Sequence, residues 1–152
     1  MAKKMMVIQK EVLRKKNKKK KINKFGKWGN LTFIASRDKY RTFTDMKWKT
    51  TIKFDEKERE KKTSKLTFKG IEPDEFSFTM HFSTFGGMNP LKEMNKIDKA
   101  ARKGKAYRLI IGGKKYGKSK LVITGISREL QFFDKKGNLW IAEVQINMKE
   151  KP

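Results

Sequence analysis

The chain has 152 residues, with 40 Lys plus Arg against 16 Asp plus Glu and a formal charge of +24. That length suits one domain able to bury roughly two-thirds of its unfolded surface, and so large an imbalance calls for an acidic partner, such as nucleic acid, an anionic membrane or an acidic protein ring, or for an assembly that tolerates repulsion. The absence of cysteine and the presence of one histidine exclude disulfides, thiolate metal sites, multi-histidine metal centres and His-based triads within one chain.

The first 28 residues form a basic arm in which Glu11 is the one acid, and its densest part holds Lys15, Lys16, Lys18, Lys19, Lys20, Lys21 and Lys24. Like charges repel and little apolar surface offsets the lost chain entropy, so this arm is expected to order only on a partner. Met5 to Leu13 is too short to hold a helix or strand alone, and Met5-Met6-Val7-Ile8 is too short for a secretion signal. No run approaches the roughly 20 apolar residues of a spanning helix, so no membrane partner is expected.

Residues 29–152 carry the pattern of one β-rich domain. Leu31 to Ala35 predicts a first strand. Thr42 to Phe54 predicts a long second one with Met46, Trp48, Thr50, Ile52 and Phe54 on one face. Asp55 to Lys62 is expected to be a charged loop, and Leu66-Thr67-Phe68 a third strand closed by Gly70 and Pro73. In Glu75 to Ser83, Phe76, Phe78, Met80 and Phe82 alternate with Ser77, Thr79, His81 and Ser83, which predicts a strand half buried against a core. His81, on the polar face, is then an ordinary surface residue.

Phe85 to Met88 is expected to be a flexible loop. Asn89 followed by Pro90 starts a helix by cap and first-turn proline. Leu91, Met94, Ile97 and Ala101 recur at helical spacing, and Gly104 ends it. Three further strands are expected, about Ala106 to Ile111, Lys120 to Phe133 and Leu139 to Lys149, the last with Trp140, Ala142, Val144, Ile146 and Met148 on one face. The fold class is mainly β with one helix: an antiparallel β-barrel or sandwich whose helix covers one opening, with a basic N-terminal arm.

Gly112 to Ser119 matches G-x-x-x-x-G-K-[ST], the phosphate-cradling loop of nucleotide hydrolases. Such a loop needs a helix after the Lys-Ser pair, whose N-terminus adds its dipole to the cradle. Leu121-Val122-Ile123-Thr124-Gly125-Ile126 is β-branched and broken by glycine, a strand composition, so this stretch is expected to be a hairpin turn. The acidic pairs Asp55-Glu56 and Glu58 with Glu60 sit among lysines, with no apolar pocket to raise a carboxyl pKa for acid catalysis. Trp48, Trp140, Phe76 and Phe78 could stack bases, but they share faces with Met46, Val144 and Ile146 and are expected in the core. No catalytic, cofactor-binding or metal residue is predicted.

Leu31-x-Phe33, Thr42-Phe43 with Trp48, Phe76-x-Phe78-x-Met80 and Gly87-x-Asn89-Pro90 occur in order along the chain, followed by Gly104, Ile111-Gly112-Gly113-x-x-Tyr116-Gly117, Leu121-Val122-Ile123 and Gly137. On these motifs the sequence from about Gly29 to Met148 resembles the phage tail protein U family of contractile tails. The resemblance implies a non-enzymatic structural role in the baseplate of a phage tail or R-type bacteriocin, assembled in the bacterial cytoplasm. It also implies several copies around the tail axis joining the hub to inner tube, sheath or LysM-type adaptor subunits, with no cofactor. The arm is more basic than the family pattern. It suits an acidic protein surface, or phosphates if the chain is instead a small nucleic-acid-binding domain.

Overall fold

The computed structural model describes residues 24–34, 43–86 and 89–152. In chain order these form β1 (Lys24–Trp28), β2 (Leu31–Ile34), β3 (Phe43–Lys49), β4 (Ile52–Arg59), β5 (Lys62–Ile71), β6 (Glu75–Ser83), a 3-10 turn (Thr84–Gly86), α1 (Pro90–Arg102), β7 (Tyr107–Ile111), β8 (Lys114–Phe133) and β9 (Leu139–Lys151). The expected mainly antiparallel β-fold with one α-helix is what the described residues adopt. Residues 1–23, Ala35, Thr42 and the Gly87-Met88 part of the expected loop lie outside them.

The strand β6 carries the alternation in full: Phe76, Phe78, Met80 and Phe82 are buried and the residues between them are not. It pairs antiparallel with β9 so that Phe76 faces Met148, Phe78 faces Ile146, Met80 faces Val144 and Phe82 faces Ala142. Paired residues lie on the same face of a sheet, and these eight form the spine of the core. Around it the seven strands run in the order β2-β1-β7-β8-β9-β6-β3, an open sheet with β2 and β3 as its edges.

The barrel alternative is not realised, because no hydrogen-bonded ladder joins those edges among the described residues. Instead the sheet curls until side chains meet across the gap. Phe33 of β2 lies 5.5 Å from Phe43 of β3 and 5.5 Å, edge-on, from Phe78, while Phe43 stacks on Phe78 at 4.4 Å. The seam is therefore apolar contact, a sandwich-like closure. On one side α1 contacts β2, β6, β8 and β9, and its Met94 and Ile97 are buried. The Asn89 side chain caps it by accepting from the Lys92 N–H, and at its other end Lys103 is the C-cap and Gly104, at a left-handed φ of 65° with its N–H on the Ala101 carbonyl, ends it as expected. Leu91 points away from the core and is exposed.

Three expectations of extent are corrected. The arm does not run to residue 28: Lys24–Trp28 is a strand inside the sheet, between β2 and β7. Trp28 is buried, and its indole N–H donates to the Leu121 carbonyl at 2.9 Å. One large aromatic able to bury and bond outweighs the charges around it.

The long second strand is two strands. Asp45 takes a left-handed φ of 55° at a bulge between Thr44 and Lys47, and pairing stops at Thr50-Thr51. Met46 reaches the core margin, and Trp48, opposite Phe76 and stacked on it, lies on the same side but stays exposed because β3 is an edge of the sheet. Finally, Asp55 to Lys62 is no loop: it is the outer half of the β4–β5 hairpin.

Phe78 is fully buried and bridges the seam. Phe78→Ala is expected to cost about 3–5 kcal/mol, read as a lower urea midpoint. Phe54→Ala, on the exposed hairpin, should stay within about 0.5 kcal/mol of the parent.

Candidate assembly surfaces

The glycine-rich segment adopts the hairpin geometry. Gly112 and Gly113 both have positive φ, 58° and 76°, between the paired residues Ile111 and Lys114, as a two-residue primed turn requires. Strand β8 then runs through Ser119 without a helix. Between Tyr116 and Leu121 the ladder bulges, with Gly117 at φ 85°. The Arg108 guanidinium donates to the carbonyl of Lys118 at 3.0 Å, and the Glu150 carboxylate accepts from the Lys118 N–H at 3.1 Å. The backbone donor that a phosphate loop would offer at the lysine is thus occupied by a carboxylate of the same chain.

The residues expected to carry partner binding are distributed unevenly. Lys24 is the first residue of β1. Lys15, Lys16, Lys18, Lys19, Lys20 and Lys21 lie outside the described residues. His81 is on the polar face of β6, half-buried, with its Nε2 3.3 Å from Thr44 Oγ1 and 4.0 Å from Glu143. Among the described residues no cluster of acids and His could hold a metal ion, and no helix is long and apolar enough to cross a membrane.

Two surfaces stand out that the sequence did not announce. The first is the β4–β5 hairpin, a ribbon that pairs with no other strand among the described residues. Its register puts Ile52 opposite Ile71, Phe54 opposite Phe68 and Glu56 opposite Leu66. One face is consequently an apolar stripe, yet Ile52, Phe54, Leu66, Phe68 and Ile71 are each 51–62% exposed. The opposite face is charged, with Lys69 paired to Asp55 at 2.7 Å and Lys53 to Glu72 at 2.8 Å. The side-chain hydrogen bond and charge of Lys53 hold the Glu72 carboxyl below its ordinary pKa.

The ribbon's root is firmly fixed. Trp48 stacks on Phe76 at 5.1 Å and donates to the buried Asp74 carboxylate at 2.8 Å. The Asp74 carbonyl accepts from the Glu150 N–H, and the Thr51 carbonyl from the Glu72 N–H.

The second surface is a groove of about 670 Å³ at the other end of the sheet, lined by Phe85, Leu91, Leu130, Phe133, Leu139 and Trp140. Register shifts after Leu130 and after Phe132 end the regular pairing of β8 with β9. They leave Leu130, Phe132 and Phe133 46–52% exposed, beside Phe85 and Leu91. Phe85 and Phe132 meet Trp140 edge-on at 5.6 and 6.2 Å.

The floor is held by Asp134. One of its carboxylate oxygens accepts from the N–H groups of Lys136 and Asn138, the other from the Asn138 side chain and the Trp140 indole. These bonds, the Asn138 backbone N–H first and the Asn138 side chain next, lower its pKa to about 2.

Sequence reasoning missed both surfaces for one reason. Apolar residues at strand spacing look the same whether the chain covers them or not. The charges flanking Ile52, Phe54, Leu66 and Phe68 were the available signal, since a strand rich in Lys and Glu on one face is seldom buried on both.

Compared with known proteins, the chain matches a family model described as Phage P2 GpU over residues 29–151. No curated protein matches it. Among solved structures, a chain of one described as the tail of an empty GTA particle computed with helical refinement in C6 symmetry is similar at 9% identity. That similarity covers 74% of this chain and 80% of the other, with a TM-score of 0.45.

A carboxyl with a lowered folded pKa stabilises the fold above its unfolded value, near 3.9, and this contribution disappears as pH falls through the folded value. The melting temperature of Asp134→Ala should therefore lie below that of the parent at neutral pH. The gap is expected to close between about pH 4 and pH 2; a gap independent of pH would assign the loss to packing instead.

Proposed function

The chain belongs to the Phage P2 GpU family of tail proteins, and on that premise we propose that it is a structural, non-enzymatic part of the baseplate of a contractile phage tail or tail-like particle. In this reading several copies surround the tail axis and connect the hub to tube or sheath subunits. The observation that carries it is the ribbon: a fixed root, an apolar stripe and no described element of its own chain covering it. Isolated two-stranded hairpins are marginal in water. One that displays aromatics to solvent gains its stability on a neighbour, and contiguous exposed apolar surface marks an interaction site.

The test is to produce the chain with its tail proteins and image the product by negative stain. Ring-like or hub-bound particles are expected, and the double variant Phe54→Ser/Phe68→Ser should be left out of them while keeping its urea midpoint. A chain that stays monomeric and joins no tail protein refutes the reading.

The basic arm, with Lys15, Lys16 and Lys18 to Lys21, serves as a clasp on an acidic neighbouring subunit. Replacing Lys18, Lys19, Lys20 and Lys21 by Gln is expected to weaken attachment to the particle and to leave the fold unchanged. Nucleic acid replaces the protein partner if duplex DNA binds the parent and the variant's log K falls less steeply with log salt, by roughly 0.9 for each phosphate that the variant no longer neutralises.

A further inference from the structure

From the two apolar surfaces that no other described residue covers we infer that copies of this chain join head to tail, the ribbon of one seating its Phe54, Leu66 and Phe68 in the Phe85, Leu130, Phe133 groove of the next. This rests on the assembly role proposed above and names the ribbon's partner.

Among the described residues, the placement of the two surfaces keeps a chain's ribbon away from its own groove. Strand β6 starts at Glu75, beside the ribbon's root, and ends at Ser83, beside the groove. Its nine residues span roughly 30 Å at about 3.3 Å each. The ribbon leaves from the far end and packs along no other described element, so it does not fold back. The shapes differ as well: one surface is the face of a projecting ribbon, the other a concavity in the size range of sites that take up ligands, about 300–1,000 Å³.

A convex and a concave patch on opposite ends of a molecule make a heterologous contact, which repeats from copy to copy and closes into a ring or winds into a helix.

Charge supports a second copy as the occupant. A body of charge +24 repels itself, so a contact between copies needs local complementarity. The apolar face of the ribbon carries Glu56, paired with Leu66 on the same face. Next in the chain to the groove residues Leu91, Asp134 and Gly137 stand Lys92, Lys135 and Lys136, all exposed. Seating the ribbon brings the acid to the lysines. Because the remaining charges repel, association should strengthen as salt shortens the screening length, the reverse of phosphate binding.

Since the chain has no native cysteine, two full-length single-cysteine variants, Phe68→Cys on the ribbon and Leu130→Cys in the groove, test the pairing with a short bismaleimide at high salt. The mixture is expected to yield a covalent dimer that neither variant forms alone. Adding Phe133→Asp to the groove variant should abolish it, and lowering the salt should reduce it. Dimers from Phe68→Cys alone would mean that ribbon meets ribbon and would overturn the inference. If the ribbon variant links only to another tail protein in assembled particles, the inference falls and the structural role stands. If it links to nothing there, both fall.

Discussion

The register between β6 and β9 is the constraint on which the molecule depends. With Phe78 opposite Ile146 and Met80 opposite Val144, every second side chain of both strands enters the core and the residues between them face outward. A slip of one residue would exchange those sets, placing Ser77, Thr79 and His81 inside. Such a slip has no partner for the buried hydroxyls and is strongly disfavoured. All else hangs from that pair: β8 and β7 extend the sheet on one side, β3 on the other, and α1 covers the face that receives Met94 and Ile97.

From the same constraint come the two ends that matter for assembly. Because β6 is fully paired along its length, the segments entering and leaving it are fixed in direction. At its start, Trp48 on Phe76 and on Asp74 sets the angle at which the ribbon departs. At its end, the 3-10 turn brings Phe85 against Trp140, and the Asp134 turn holds the indole from below. The sheet acts as a rigid spacer between an apolar projection and an apolar recess. A chain that is strongly basic thereby acquires two places where burial, which does not depend on net charge, can outweigh repulsion.

The glycine-rich hairpin shows how a short motif loses its meaning in context. Gly112 to Ser119 has the residues of a phosphate loop, but the segment beyond it is β-branched and pairs with β9. Extended pairing removes the helix whose dipole would attract a phosphate, and Glu150 occupies the Lys118 N–H. What remains of the motif is the glycine pair that lets the chain reverse in two residues.

Local pattern by itself determined the strand β6, the helix with its Asn89 cap, the hairpin after Ile111 and the apolar face of β9, because each is a periodicity or turn chemistry contained within a few neighbouring residues. It also carried the family resemblance, since those motifs keep their order. Tertiary structure alone decided which apolar faces are covered. Trp28 is drawn into the sheet from a stretch that looks like charged arm, while Phe54 and Phe68, whose spacing resembles that of core residues, stay exposed on the ribbon. The physical reason is that alternation specifies a face but says nothing of what lies against it: burial depends on which strands become neighbours, and that is settled by contacts between residues far apart in the chain.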